Sequence, residues 1–420
     1  MLIRFEVENF RSIDDPMELS MVAIDEGRPE ARPVEKLGAS LLTAAGIFGP
    51  NASGKSNMLA ALVWLQSAVR DSLRQWDETI PVEPFAFGDG PTRDSSFALE
   101  MLVSGVRFEY LLDVSSRRVS FEALYHYPEG RRRRIFEREH NALVLQRGLG
   151  ELAGTRSLLT DRSLALTIMR RFDEPATSSF INQVLKIVSL GQPLTRFRRP
   201  LGSGSALATM RMFDDSQGDE LDVIPDDATV EAISSRQRAM SLLQLADLGV
   251  VEVELLRVEG GSLLRSKVPQ LVHSSGSERL AFDYQSESAG TRSWFELIGP
   301  MLTALQAGSV VLFDELDASL HPTLTARLVR LFQGRSSNPE GAQLLFTSHD
   351  TNLLNHLNRD EVWLTQKDGR GATRFAALSD FAGERVRRSQ NIESGYLSGR
   401  FGALPDIAKP ELLRELGLIG

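Results

Sequence analysis

Eight consecutive residues, Gly49-Pro50-Asn51-Ala52-Ser53-Gly54-Lys55-Ser56, set glycines, a lysine and a hydroxyl at the spacing that cradles a polyphosphate. Glycine lets the backbone curl so that successive N–H groups face inward around an anion. Lys55 can reach the outer phosphates, and the Ser56 hydroxyl can ligate Mg²⁺. An apolar stretch, Leu41 to Phe48, precedes the loop, and Asn57 to Leu73 follows with Leu59, Leu62, Val63, Leu65 and Val69 at helical spacing. The loop therefore reads as the turn from a strand into a helix, whose positive end adds to the pull on an anion. Asn51, Ala52, Ser53, Gly54, Lys55, Ser56 and Asn57 form the expected nucleotide-binding set.

Three further clusters belong to the same chemistry. Ser309-Val310-Val311-Leu312-Phe313-Asp314-Glu315 is a short apolar run ending in two acids. A buried parallel strand reads as a continuous apolar run, and ligands gather at the carboxyl ends of such strands. Asp314 suits the Mg²⁺ shell and Glu315 suits a general base for water. A second such run, Leu344 to Thr347, leads through Ser348 to His349, 35 residues after Asp314. A histidine there can contact a γ-phosphate or orient the attacking water. Between the phosphate loop and these runs, Ser288-Ala289-Gly290-Thr291 opens an apolar helix, Trp294 to Leu305. Ser288 and Gly290 would offer a hydroxyl and N–H groups to a phosphate, although the segment taken alone is also an ordinary helix cap.

The elements that must position these groups follow from periodicity. Residues 2–8 alternate as a half-buried strand, and 97–127 read as a meander of short strands. Arg131 to Arg134 reads most economically as a solvated hairpin tip, with a phosphate-binding patch as the alternative. Leu158 to Phe172, Ser179 to Leu190 and Ala228 to Leu248 read as helices, with Gly202 to Ala206 and Asp214 to Asp227 as loops. Strands return at Val250 to Val258, Leu280 to Tyr284, Val310 to Phe313, Leu344 to Thr347 and Glu361 to Thr365. The expected organisation is one α/β domain in two sequence-distant halves, 1–150 and 249–390, with a mainly helical insertion at 151–248 and a tail at 391–420.

Composition narrows the function classes. The chain has 420 residues, 42% hydrophobic and 25% charged, in the ordinary globular range, for which two to three domains are expected. It has no cysteine, which excludes disulfides, thiolate metal sites and a thiol nucleophile. Net charge is −9, from 47 basic and 56 acidic residues, so a globally cationic nucleic-acid coat is not expected. Only 6 of the 47 basic residues are lysine. Acids at Glu6, Glu8, Asp14 and Asp15 interrupt any leader-like apolar core, and no apolar run approaches the ~18 residues of a bilayer span. A cytoplasmic protein with no membrane partner is expected.

The four motifs in this order resemble the ABC-type ATPases of the SMC and RecF class, with Ser288 to Thr291 similar to a diverged signature motif. The resemblance implies an α/β, ABC-type P-loop NTPase head with a mixed central sheet plus an antiparallel meander. It implies hydrolysis of ATP with Mg²⁺ held by Ser56 and Asp314, and catalytic roles for Glu315, His349 and Lys55. It also implies a head-to-head dimer or higher oligomer, in which the signature of one subunit completes the site of the other. The opening Ile3 to Ser12 is similar to that class as well, where the Asn-Phe-Arg segment lies near the nucleotide, so Asn9 and Arg11 are carried across.

A narrower resemblance rests on Ser319-Leu320-His321-Pro322, on Leu345 to Asp350 and on the tail Gly395 to Pro405. These are similar to bacterial abortive-infection ATPases of the RloA/AbiL-like group, related to the ATPase half of the overcoming-lysogenization-defect nucleases and to PARIS-type ATPases of the AAA family. The resemblance implies a sensor or scaffold in anti-phage defence that controls a separate effector, such as a Toprim or HNH nuclease, docked on the tail. Ser394 to Pro405 would present an aromatic and an arginine of the kind enriched at interfaces. No glutamine matches a Q-loop, since Gln66 and Gln75 lie too close to the phosphate loop, and no acidic Toprim-like segment follows His349. The alternative reading is a RecF-like, ATP-dependent DNA-binding protein of genome maintenance. DNA as a partner stays open.

Overall fold

The computed structural model describes residues 1–25, 27–172, 174–191, 194, 202–214, 226–246, 249–257, 267–318, 320–380 and 392–401. Its centre is a six-stranded sheet in the order Val188–Gly191, Val310–Asp314, Gln343–Thr347, Ala44–Phe48, Val362–Lys367, Thr373–Ala377. The first five strands are parallel and the last is antiparallel. The three central strands are buried at every position, which explains their unbroken apolar runs. Beside this sheet lies a seven-stranded antiparallel sheet built on the meander Ser95–Val103, Val106–Val114 and Val119–His126, with Leu2–Glu8 paired along Ser95–Val103. The expected fold class, a mixed central sheet plus an antiparallel meander, is the one present.

The helix Lys55–Gln75 lies between the two sheets. Its Met58, Leu59, Leu62, Leu65 and Val69 share one core with Phe5, Phe97 and Leu99 of the antiparallel sheet and with Ile47, Leu312 and Leu345 of the central sheet. On the opposite face, the helices Ala289–Ala307 and Pro322–Gln333 cover the central sheet through Trp294, Phe295, Ile298, Leu328 and Phe332.

Several expectations are corrected. Val188–Gly191, read as the end of a helix, is the edge strand of the central sheet. A short apolar run fits either structure, and here the ladder to Val310–Asp314 decides it. Gln66 closes the helix Pro175–Leu185 that precedes this strand, its side-chain amide Nε2 donating to the carbonyls of Val184, Leu185 and Ile187. Gly202–Arg211, expected to begin as a loop, is a helix. Its glycines disfavour that form, and the packing of Thr209 and Met210 against Ala289–Ala307 outweighs them. Most of the acidic stretch at 214–227 lies outside the described residues. The arginine run, by contrast, lies exposed at the turn between Val119–His126 and Arg133–Glu139, as expected of a hairpin tip, with Arg132 covering the Tyr125 ring and pairing with Glu109 and with Arg133 and Arg134 paired to Glu129 and Glu137. In the tail, Tyr396 and Phe401 are buried in the second core instead of standing exposed, and 402–405 lie outside the described residues.

Two buried polar groups carry measurable consequences. The Thr209 hydroxyl inserts into the helix Ala289–Ala307, accepting from the Gly299 N–H at 2.8 Å and donating to the Phe295 carbonyl at 2.6 Å. Thr209→Val leaves both groups without that partner and is expected to cost about 1–3 kcal/mol in denaturant unfolding; an unchanged midpoint refutes the role. Glu361, fully buried, is pushed up to about 7 by burial, against the pull of Arg28. The folded state thus holds this proton to higher pH than the unfolded chain does, so its contribution to stability declines as pH rises through the interval from the ordinary 4.5 to about 7. Relative to the unsubstituted chain, Glu361→Gln should gain thermal stability steadily across that interval, as read by melting at stepped pH.

Candidate functional site

The parallel register brings the carboxyl ends of three strands to one edge: Phe346 lies opposite both Phe313 and Gly46. There a cavity of about 790 Å³ opens, lined by Ser12, Asn51, Ala52, Gly54, Lys55, Ser56, Asn57, Glu315, Asp317, Ala318, His349 and Lys367. Of the expected nucleotide-binding set, only Ser53 is absent from this lining. Its side chain is buried, with its hydroxyl 2.6 Å from that of Thr365, and its carbonyl accepts from the Thr373 hydroxyl at 2.9 Å. The hairpin behind the loop therefore fixes the loop's shape. Gly54 has φ +100°, and a Cβ there would collide with the Thr373 hydroxyl, so glycine is required twice over.

Lys55 is buried and donates from Nζ to the carbonyls of Gly49 at 2.9 Å and Pro50 at 3.0 Å. Burial lowers its pKa, opposed by the charges of Asp314, Asp317 and Glu315; of these acids Asp317 and Glu315 line the cavity with the lysine. Asp314 ends its strand buried, accepting from the Thr347 hydroxyl at 2.7 Å. The Glu315 N–H donates to that same hydroxyl at 2.8 Å. Glu315 has φ +56°, which turns the chain out of the strand and into the cavity. The Asp317 carboxylate accepts from the backbone N–H of His349 at 3.1 Å, tying the turn after the acids to the exposed histidine.

Asp314, like Ser53, is buried off the lining, and four further expected residues lie elsewhere, two of them, Ser288 and Gly290, expected at the site of a second subunit. Asn9 is fully buried, and its amide donates to the carbonyls of Gly90, Arg93 and Asp94 while accepting from the Phe85 N–H, so it pins the 85–94 loop. Arg11 bonds the Leu194 carbonyl and Glu83. Neither lines the cavity; it is Ser12, the next residue, that does, its hydroxyl bonded to Asn57 Nδ2 and to the Thr373 hydroxyl. Ser288 caps the helix Ala289–Ala307, accepting from the Thr291 N–H at 3.0 Å, and Gly290 is exposed; both lie outside this cavity.

Sequence reasoning passed over Ser12, Asp317, Thr347, Lys367 and Gly191. Ser12 and Thr347 sit inside motifs already singled out and Asp317 lies two residues past Glu315, whereas Lys367 and Gly191 carry no local signal. Gly191, φ +77°, ends the edge strand against Asp314, where a Cβ would collide with the Asp314 carbonyl oxygen.

The fit to Mg-nucleotide rests on this donor set. Among the described residues no cluster of three or more His, Cys, Asp or Glu is placed to hold an ion by itself. A hydroxyl, one buried carboxylate and a glycine-formed cradle instead suit a divalent ion that arrives with phosphate oxygens as its other ligands. Among the described residues no helix is long and apolar enough to cross a membrane.

Fold and loop together define a P-loop ATPase class. The family model described as "AAA domain, putative AbiEii toxin, Type IV TA system" matches residues 44–168 and 170–355. The chain belongs to this family. No curated protein matches it. Among solved structures, an SMC head domain from Thermotoga maritima is 12% identical, with 90% of this chain and 98% of that chain covered and a TM-score of 0.42. An SMC head bound to the C-terminal winged-helix domain of ScpA is 11% identical, covering 90% and 97%, with a TM-score of 0.44. An SMC head with an extended coiled coil, bound to the C-terminal domain of ScpA derived from Pyrococcus furiosus, is 13% identical, covering 90% and 97%, with a TM-score of 0.41.

Gly191→Ala is expected to lower unfolding stability by about 2 kcal/mol or more, through positive φ and the lost clearance at Asp314 together. A variant as stable as the parent would show that the edge strand does not constrain that aspartate.

Proposed function

We propose that this chain binds and hydrolyses ATP with Mg²⁺ and works as an oligomeric sensor and scaffold in anti-phage, abortive-infection defence, controlling a separate effector such as a nuclease. The observation that carries the ATPase reading is the meeting of Lys55 with Glu315 and Asp317 on one cavity, with the buried Asp314 ending the strand just before them, from stretches some 260 positions apart. The defence reading is supported by the family, whose description joins this AAA domain to a toxin system.

In this reading the loop N–H groups and Lys55 hold the β- and γ-phosphates. Ser56 and Asp314 would hold Mg²⁺, which would supply positive charge to the phosphate oxygens. Glu315 accepts the proton of the attacking water, and His349 contacts the γ-phosphate or orients that water. The Thr347 hydroxyl holds Asp314 by its side chain and Glu315 by its N–H, so the two acids keep one relative position. Ser288 and Gly290, outside this cavity and at a helix N-terminus, would face the nucleotide of a second copy in a head-to-head pair.

The test is turnover and native mass with and without Mg-ATP. Glu315→Gln should retain ATP, accumulate as a dimer and lose about 100-fold or more in hydrolysis. Lys55→Ala should weaken nucleotide binding about tenfold or more. Equal turnover in the parent and both variants would sink the assigned roles. Phage plating on cells that express the chain with its genomic neighbours tests defence, with protection expected to vanish in Glu315→Gln.

A further inference from the structure

Two lysines face the cavity: Lys55 from the phosphate loop and Lys367 from the end of the strand Val362–Lys367. The chain contains only 6 lysines among its 47 basic residues, so a third of them converge on one site. Lys367 resembles Lys55 in its present bonding. Among the described residues neither is ion-paired, and each donates to main-chain carbonyl oxygens, Lys367 to Gly371 at 2.6 Å.

The strand order gives the bound nucleotide a direction. The phosphate-loop strand Ala44–Phe48 has Gln343–Thr347 and then Val310–Asp314 on one side, and Val362–Lys367 on the other. Glu315, Asp317 and His349 reach the cavity from the first side, and Lys367 reaches it from the second. A triphosphate whose outer phosphate lies toward the acids must run its inner phosphate and nucleoside toward the second side, because the loop lies between. The register adds the height. Leu364 lies opposite Phe48, and Thr365 touches Ser53 of the loop, so Lys367, two residues on and on the same strand face, stands just past the loop.

We infer that Lys367 binds the α-phosphate of the nucleotide, a second cation at the nucleoside end of the site. The inference deepens the ATP-binding reading above and rests on it. On binding, the ammonium leaves the neutral Gly371 carbonyl for a charged oxygen, and a charge-assisted hydrogen bond is the stronger of the two. ATP and ADP both carry this phosphate, so both should depend on Lys367.

The experiment is equilibrium titration of the full chain with ATP and, separately, with ADP, for the parent and for Lys367→Met, Lys367→Gln and Lys367→Arg. Lys367 is exposed, so these substitutions leave the core intact, and melting temperatures check it. Lys367→Met and Lys367→Gln should weaken both nucleotides by a similar factor, about tenfold or more, while Lys367→Arg stays within about threefold of the parent. Unchanged affinities overturn the assignment. So does a loss confined to ATP, which would put the lysine at the γ end. A parent chain that binds neither nucleotide overturns the ATP-binding reading itself, a different result from a binding parent with indifferent variants.

Discussion

Parallel pairing of three buried strands is the constraint on which the site depends. Ala44–Phe48, Gln343–Thr347 and Val310–Asp314 run in one direction and in close register, so their carboxyl ends, and the loops that leave them, emerge along one edge. Each strand is buried at every position, so a slip by one residue would swap its side chains between two closely packed cores and misfit both. The phosphate loop, the two acids and the histidine are neighbours because of this ladder. A single hydroxyl, that of Thr347, then couples the ends, donating to Asp314 and accepting from the Glu315 N–H.

A second tier holds the loop from behind. Thr365 and Thr373, on the paired strands Val362–Lys367 and Thr373–Ala377, bond the Ser53 side chain and carbonyl, and Ser12 joins Thr373 to Asn57 at the start of the helix. The loop is thus shaped before any ligand arrives, which lowers the entropy lost on binding. Farther away, the fully buried Glu122 accepts from the N–H groups of Ala165 and Leu166 and from the Tyr110 hydroxyl, while Arg138 donates to the Thr160 carbonyl. This network clamps the 160–169 segment onto the meander, so buried charge is matched at each end by partners.

The disagreements between sequence and structure share a cause. Asn9 is a polar residue at a motif position, and its side chain satisfies backbone groups across the 85–94 loop instead of lining the cavity. Tyr396 and Phe401 looked suited to an interface by residue type, yet large apolar rings are buried wherever a core is within reach. The conformations of Val188–Gly191 and Gly202–Arg211 are set by contacts with elements distant in the sequence, the strand Val310–Asp314 and the helix Ala289–Ala307.

What the amino-acid sequence determined by itself was everything carried by local pattern: the phosphate loop between strand and helix, the acids and histidine ending apolar runs, and the meander, because period and residue type act over a few neighbours. Tertiary structure alone decided the rest. It placed Lys55 on one cavity with Glu315 and Asp317, chose Ser12 over Asn9 and Arg11 for the cavity wall, brought Lys367 to that wall and set Gly191 against Asp314. Such placements follow from strand order and register, which depend on pairings between distant segments and leave no mark on the residues flanking each position.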